Sequence, residues 1–332
     1  LDRTVKFISQ NAVDLGVGSE DIDPDLCGHV LFTGLAVANV QYASFVSMGR
    51  TKGWLKINAQ TNPIGRYAVH FHHAIGRPTP DNEWVHVFRG NVIEDATKWA
   101  LAIHDTHYSL FEANIVYRAG GAGILTEEGM EYGNLISDNF IAGVMGSGVP
   151  ANSAFTIHGP ASEGSGIWLR GSFTAVRHNH VSGVWAASVV GENRMPMVRH
   201  HNLATSGLNG FSYSVANLMY AQQARVPSEG PGARGSLNES HWTMRWVHEH
   251  GRKTDYHCNE GYGTGYGFLT TWNVGVDLSS KQFVAPEPTP FNGWFAWHMH
   301  TRYIYGYQSD KIHMNNFFIR SFYAQAAGIG FN

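Results

Sequence analysis

An asparagine followed by a short apolar run, a turn and a second run recurs along this chain. The copies read "RGNVIEDATKWALAIHD", "EANIVYRAGGAGILTEE", "SDNFIAGVMGSG", "RHNHVSGVWAASVVGE" and "RHHNLATSGLNGFSYSV". Their asparagines stand at positions 91, 114, 139, 179 and 202, so the steps are 23, 25, 40 and 23 residues. Such a repeat predicts an all-β fold, a parallel β-helix whose coils stack at about 4.8 Å. The asparagines then form a ladder, each side chain bonding to the next coil.

The other repeat architectures of similar length fit less well. Leucine-rich repeats require an LxxLxL pattern that these copies lack, and the β-branched residues and glycines show no helical period. We predict one β-helix domain over residues 1–332, with N-terminal coils in 1–60 and regular coils in 61–215. An insertion falls near 145–165, and the coils of 216–332 carry long loops, with another copy of the repeat at 313–331.

Composition excludes some classes of function. Among 332 residues the net charge is only −3, which leaves no basic patch for nucleic acid. No run approaches the roughly 18 apolar residues of a membrane-spanning helix. Cys27 and Cys258 allow one disulfide or two free thiols. The sequence begins at Leu1 without a signal-peptide pattern, so we expect a processed chain or an excised piece.

Aligning the coils by their asparagines predicts which side chains become neighbours. One column reads His72, His104, Glu127, Arg170 and Glu192, and a second, two residues upstream, reads His70, Ala102, Leu125, Trp168 and Val190. The positions between them are Phe71, Ile103, Thr126 and Leu169, which are mostly apolar and should face inward. The two columns should then face solvent or a groove, because strand side chains alternate.

This register predicts a metal site. The ligands would be His70, His72 and His104, with Glu127 as a fourth ligand or as an acid/base, because three histidines with a carboxylate are typical of open catalytic metal sites. The alternative is a polar ladder of satisfied side chains without a metal. Only 15% of the residues are charged, which is low for a globular protein. A solvent-exposed polar face is therefore a weaker explanation for this column of histidines and carboxylates.

Several further residues are candidates for catalysis or substrate binding. The catalytic candidates are Glu127, Glu128, Glu131, Asp105 and His104, where Asp105 could orient an imidazole or simply form a turn. The substrate-binding candidates are Arg66, Trp168, Arg170 and Glu192. Trp168 could stack on a sugar ring or pack in a core, and Arg66 could bind an acidic substrate or pair with a carboxylate.

Three linked segments carry a family resemblance. "GRYAVHFHHAIG", "AIHDT" and "GILTEEGMEYGN" resemble, in order and spacing, the β-helix region of the cell-migration-inducing hyaluronan-binding protein, transmembrane protein 2 and fibrocystin-like family. The resemblance covers roughly residues 1–215 and implies a right-handed parallel β-helix in a secreted protein. The matching positions are Arg66, His70, His72, His104, Glu127, Glu128, Glu131 and Asn134. Ala68, Asp105 and Glu128 depart from the family's Pro, Gly and Asp.

What the resemblance implies about activity is depolymerisation of hyaluronan, which two members are associated with, together with calcium dependence. We therefore expect a secreted polysaccharide depolymerase, a hydrolase or a lyase acting on a uronate-containing glycan. Its cofactor would be a divalent metal, zinc or calcium first, with copper or iron as further options. The alternatives are a non-catalytic glycan-binding or structural β-helix with a structural metal, and a metal-dependent oxidoreductase.

Overall fold

The structure is a computed structural model. It describes residues 5–16, 22–52, 60–74, 83–127, 131–146, 164–169, 173–191, 198–200, 202–214, 225–227, 234–236, 255–263, 266–271, 275–277, 282–284, 289–299, 302–307, 312–320 and 329–331. Within these ranges almost every regular element is a strand, as the repeat predicts. The described part contains one α-helix, α1 at Gln10–Leu15, and a 3₁₀ turn at Pro24–Leu26. None of its helices is long and apolar enough to span a bilayer.

The strands are short and are numbered here in chain order. The first half contains β1 Val5–Ile8, β2 Val30–Thr33, β3 Asn39–Gln41, β4 Ala43–Val46, β5 Val69–His72, β6 His86–Arg89, β7 Val92–Ala96, β8 Leu101–His104, β9 Ser109–Glu112, β10 Ile115–Ala119, β11 Ile124–Thr126, β12 Tyr132–Ser137, β13 Phe140–Val144, β14 Ile167–Leu169 and β15 Phe173–Arg177. The second half contains β16 His180–Gly191, β17 Val198–His200, β18 Leu203–Ser214, β19 Arg225–Pro227, β20 Arg234–Ser236, β21 Asp255–His257, β22 Glu260–Tyr262, β23 Tyr266–Thr271, β24 Gly275–Asp277, β25 Gln282–Val284, β26 Thr289–Asn292, β27 Phe295–Trp297, β28 Arg302–Tyr307, β29 Ile312–Asn315, β30 Phe318–Arg320 and β31 Ile329–Phe331.

All but four of the described strands form three parallel series that run along the coils, and the other four form two antiparallel pairs, β19 with β20 and β24 with β25. Series 1 is β1–β4–β7–β10–β13–β16–β18–β22–β27–β30, and series 2 is β2–β5–β8–β11–β14–β16–β18–β23–β28–β31. Series 3 is β3–β6–β9–β12–β15–β17–β21–β26–β29. The long strands β16 and β18 belong to series 1 at their start and series 2 at their end. This arrangement confirms the predicted parallel β-helix. That residues 1–332 form a single domain stays a prediction.

The interior consists of apolar columns that continue from coil to coil. In series 1 the column runs through Phe45, Ile93, Val116, Ile141, Val181 and Ala204, all of them buried. In series 3, Phe88, Phe111, Ile136 and Val176 form a second column. Burying side chains of this kind contributes roughly 1.5–3 kcal/mol each. The strand β14 pairs with β11 across the insertion, so the insertion leaves the register intact.

The predicted asparagine ladder is confirmed, and it is one coil longer than the sequence indicated. The ladder contains Asn91, Asn114, Asn139, Asn179, Asn202 and Asn259, all buried. Asn91 Oδ1 accepts from the Ala43 N–H at 2.9 Å. In every later member, Oδ1 accepts hydrogen bonds from the backbone N–H and the side-chain Nδ2–H of the preceding asparagine, at 2.9–3.2 Å. After Asn259 the column continues with Trp294, which stacks on Phe317.

The two cysteines do not form a bond. Cys27 is a buried free thiol and Cys258 is an exposed free thiol, which decides the alternative that the sequence left open. Cys258 instead stands at a corner with a φ of +51°, directly before Asn259. Gly90, with a φ of +66°, holds the same place before Asn91, where a Cβ would lie 2.6 Å from the Tyr42 ring. Among the described corners that precede a ladder asparagine, all have a positive φ, whether the residue is Gly90, Ala113, Asp138, His178 or Cys258.

His86 in β6 joins two corners through both of its ring nitrogens. Its Nδ1 accepts a hydrogen bond from the Ala38 N–H at 3.2 Å, and its Nε2–H donates to the Ala74 carbonyl at 3.0 Å. The Ala38 N–H requires a lone pair on Nδ1, so His86 must be neutral in the folded state. Burial lowers the pKa of His86, the Ala74 carbonyl opposes this, and the positive charge of His107 lowers the pKa further.

We therefore expect acid to destabilise the fold partly through His86. The unfolded chain takes up a proton near the ordinary pKa of about 6.5, whereas the folded chain resists protonation to a lower pH. The resulting stability is fully present above that ordinary pKa and is lost as pH falls toward the lowered one. Urea unfolding at about pH 7.5 and about pH 5 should show a smaller acid-induced loss for His86→Phe, and an equal loss in both proteins would contradict this.

Candidate metal-binding site

Three successive coils bring the candidate ligands together on the outer face of series 2. The strands β5 and β8 pair so that His72 lies opposite His104. Glu127 directly follows β11, and its N–H donates to the Ile103 carbonyl at 2.9 Å, which places it one coil further on. His70 lies two residues before His72 and therefore points to the same side of β5. The register predicted for these coils is confirmed.

The distances between donor atoms are those of ligands around one ion. The Nδ1 atoms of His72 and His104 are 3.0 Å apart, and His104 Nδ1 lies 3.2 Å from Glu127 Oε2. His70 Nε2 lies 3.6 Å from the same oxygen. Three ligand nitrogens, one from each histidine, lie within 4.8 Å of one another. Two nitrogens bound tetrahedrally at about 2.1 Å from one zinc would lie about 3.4 Å apart, so the cluster could hold a metal.

Contacts behind the cluster fix the orientation of two of its members. His70 Nδ1 is 2.7 Å from the Gly65 carbonyl, which can only accept, so the proton is on Nδ1 and Nε2 carries the lone pair. Within the described part of the chain, that Nε2 atom is buried without a hydrogen-bond partner. The Tyr67 hydroxyl donates to Glu127 Oε1 at 3.0 Å, so the other oxygen is the one that faces the imidazoles. Such contacts are typical of metal sites.

The electrostatics keep two of the imidazoles neutral. Burial lowers the pKa of His70 to about 4, although Glu127 and the Gly65 carbonyl oppose the shift. Burial also lowers the pKa of His72 to about 4, and the neighbouring charge of His104 adds to the effect. Both imidazoles therefore carry an available lone pair at neutral pH, as metal ligands must.

A second group of polar residues adjoins the candidate ligands. The buried Asp105 carboxylate is contacted on one oxygen by His73 Nδ1 at 2.7 Å and on the other by His107 Nε2 at 3.4 Å. The Asp105 N–H donates to Glu131 Oε1 at 3.2 Å. The His73 ring lies 4.1 Å from the His72 ring and 4.7 Å from the His104 ring. The two groups thus form one continuous cluster.

The structure differs from the prediction in how deeply this face is buried. His70 and Glu127 were expected to face solvent or a groove, and this is wrong, because they are only 1% and 3% exposed. The reason is a second apolar cluster outside the main core, formed by Tyr67, Trp99, Ala102, Ala122, Leu125 and Trp168. Trp168 is fully buried in it, which corresponds to the packing role that the sequence left open.

The remaining predicted residues fall into two groups. Arg66 is half-buried beside the start of β5, and its charge adds to the burial that lowers the pKa of His29. Glu131 is buried and bonded to the Asp105 backbone. Glu128, Arg170 and Glu192 lie outside the described residues, so their roles stay predictions.

Sequence reasoning missed several members of the cluster. The repeat and the strand alternation do not assign His73, His107, Tyr67 or Gly65 to the site. His73 occupies a corner after β5 with a φ of +50°, so strand alternation does not predict where it points. Tyr67 has no feature that distinguishes it from an ordinary core aromatic.

Comparison with known proteins identifies the family. The family model described as CEMIP beta-helix matches residues 25–217, which is more than half of the chain. The chain belongs to the CEMIP β-helix family. His70, His72, His104 and Glu127 all lie inside the matched range. The resemblance stated from the sequence is therefore confirmed.

The curated relatives of this CEMIP β-helix chain are far longer than it is. Fibrocystin-L of Homo sapiens is 27% identical over 186 residues, 54% of this chain but 4% of that protein. Fibrocystin-L of Mus musculus is 31% identical over 124 residues, 37% of this chain and 3% of that protein. Among solved structures, the alginate lyase from Paenibacillus sp. str. FPU-7 matches at 9% identity with a TM-score of 0.29, covering 91% of this chain and 80% of that one.

Proposed function

We propose that this chain is the catalytic β-helix of a secreted, metal-dependent depolymerase acting on uronate-containing polysaccharides. The observation that carries the proposal is the convergence of His70 Nε2, His72 Nδ1 and His104 Nδ1 next to Glu127 Oε2. The substrate class and the extracellular location follow what the family resemblance implies. The cluster could supply the metal-binding chemistry, and the β-helix presents a long face on which an extended polymer could bind.

The donor set favours zinc over calcium as the resident ion. Calcium takes six to eight oxygen ligands, whereas three imidazole nitrogens and one carboxylate suit zinc, iron or copper. The residues that would hold the ion are His70, His72 and His104, with the Glu127 carboxylate beside it. When bound, the ion would act as a Lewis acid that neutralises a uronate carboxylate or polarises a substrate oxygen.

Within this proposal Glu127 is the residue that moves a proton. Its Oε1 is held by the Tyr67 hydroxyl, so its carboxylate has a fixed orientation. In hydrolysis it would act with a second carboxylate, for which Glu131 and Glu192 are the candidates. In β-elimination it would act as the base or with a histidine base that removes the proton beside the uronate carboxylate.

The proposal is tested with the purified chain, its metal content and a panel of acidic polysaccharides. We expect a bound transition metal by elemental analysis and degradation of hyaluronan, chondroitin or alginate. Removal of the metal with a chelator should abolish turnover, and zinc rather than calcium should restore it. Products that absorb in the ultraviolet would identify a lyase, and new reducing ends without absorbance would identify a hydrolase. A metal-free chain without turnover on every polymer would overturn the proposal.

The burial of this cluster favours a second candidate function, a structural metal site in a non-catalytic glycan-binding β-helix. His70 and Glu127 are almost inaccessible to solvent, which is common for metals that only stabilise a fold. In that case chelation would lower the unfolding temperature, while no polymer of the panel would be cleaved. Elemental analysis and unfolding curves with and without the chelator distinguish the two functions.

Glu127→Gln separates acid/base chemistry from metal binding. We expect the variant to keep its metal, because the three imidazoles remain, and to lose at least about 100-fold in kcat, the usual range for an acid/base residue. The measurements are metal content and kcat on the polymer that the wild type degrades. Unchanged turnover would show that Glu127 is not the acid/base residue. Loss of the metal would show that Glu127 is a metal ligand instead.

A further inference from the structure

His73 stands at the entrance of the candidate metal site. Its side chain is 29% exposed, whereas the side chains of His70 and Glu127 are 1% and 4% exposed. His72 is half-buried, so among the described residues the cluster meets solvent at His72 and His73. A polymer approaching the site from solvent would therefore meet the His73 imidazole.

The His73 imidazole is held by a buried carboxylate. Asp105 Oδ2 lies 2.7 Å from His73 Nδ1, and the Asp105 side chain is only 2% exposed. A carboxylate can only accept, so the proton is on Nδ1, and in the neutral imidazole Nε2 carries the lone pair. The orientation and the tautomer of this exposed ring are both fixed before any ligand binds.

The backbone is left-handed at both residues of the pair. His73 has a φ of +50° and Asp105 has a φ of +44°, and neither is a glycine. The His73 N–H donates to the His104 carbonyl at 2.8 Å, so the two left-handed corners stack on adjacent coils. The same conformation recurs at other corners of this β-helix, such as Ala113 and His178, so it fixes where the His73 and Asp105 side chains point without itself marking a functional site.

We infer that His73 is the residue through which this site binds its glycan, with Nε2 accepting a hydrogen bond from a sugar hydroxyl, and that Asp105 is its positioning residue. The inference rests on the proposed function and adds a substrate-binding contact to it. His73 is not a metal ligand in this assignment, because the described side chains whose donor atoms are close enough to share one ion are those of His70, His72 and His104. Substrate affinity, rather than the metal or the chemical step, should therefore depend on the pair.

The test compares four variants of the metal-loaded full chain. His73→Asn removes the imidazole but tolerates the left-handed backbone, and Asp105→Gly removes the carboxylate at a φ that glycine accepts. Asp105→Asn keeps an oxygen that accepts from Nδ1–H. His178→Asn is the matched control, because His178 also stands at a left-handed corner beside an aspartate, Asp138, at 3.8 Å. Zinc content, KM and kcat are measured on hyaluronan and on the other polymers of the panel.

We expect KM to rise about tenfold in His73→Asn and in Asp105→Gly, the size of one lost hydrogen bond. In both, kcat should stay within about twofold of wild type and zinc content should be unchanged, while Asp105→Asn and His178→Asn keep a KM close to that of wild type. An unchanged KM in His73→Asn, or loss of zinc from it, would overturn the inference and leave the proposed function standing. A wild-type chain without zinc and without turnover would overturn both.

Discussion

Replacing His104 by alanine is expected to abolish metal binding and turnover while the β-helix remains folded. His104 Nδ1 lies 3.0 Å from His72 Nδ1 and 3.2 Å from Glu127 Oε2, so it is the central donor of the cluster. Its loss should weaken zinc affinity at least about 100-fold, since a tetrahedral site would retain only two imidazoles. The fold should survive because His104 lies outside the interior columns.

Two measurements check this prediction. Elemental analysis should find zinc in the wild type and in His178→Ala but not in His104→Ala. Excess zinc should raise the unfolding temperature of the wild type, because a ligand that binds only the folded state stabilises it by mass action. The same addition should leave His104→Ala unchanged. Full zinc occupancy in His104→Ala would show that zinc does not bind at this cluster, and the proposed function would then be wrong.

The register of these coils was predictable from sequence because it depends only on repeat length. Once the asparagines are aligned, His72 must lie opposite His104, and the 40-residue step changes nothing because the insertion leaves the coil between β13 and β14. The same reasoning predicted one inward column, Phe71, Ile103, Thr126 and Leu169, and all four are buried. Periodicity therefore determines which residues are neighbours along a solenoid.

Burial of the outer face could not be predicted in this way. Whether His70 is exposed depends on Tyr67 and Trp99, whose side chains come from corners rather than from strands and pack outside the main core. The conformation of a corner depends on individual φ angles. His73 and Asp105 both have a positive φ, but neither is a glycine, so the sequence gives no sign of their left-handed conformation. The sequence therefore indicated the ligands, but the contacts that orient them became visible only in the structure.

The largest effect on stability is expected from Asn139→Ala in the middle of the ladder. The Asn139 Oδ1 atom accepts from the N–H and the Nδ2–H of Asn114, and its Nδ2–H donates to the Phe111 carbonyl and to Asn179 Oδ1. Alanine would leave these buried groups without their partner. Each unsatisfied buried group costs about 1–3 kcal/mol, so the total should be about 4 kcal/mol or more.

Asn139→Asp and Asn39→Ala make this prediction specific to the ladder. Aspartate keeps the acceptor but turns a lone pair toward the Phe111 carbonyl and Asn179 Oδ1, so it should be destabilising as well despite its equal size. Asn39 is an exposed asparagine in β3 whose Oδ1 accepts a hydrogen bond from Gln41 Nε2 at 2.7 Å, and its loss should change the free energy of unfolding by less than about 0.5 kcal/mol. Urea unfolding followed by circular dichroism measures all three. If Asn139→Ala cost less than about 1 kcal/mol, the coils would be held together by their apolar columns, and the ladder would only set their register.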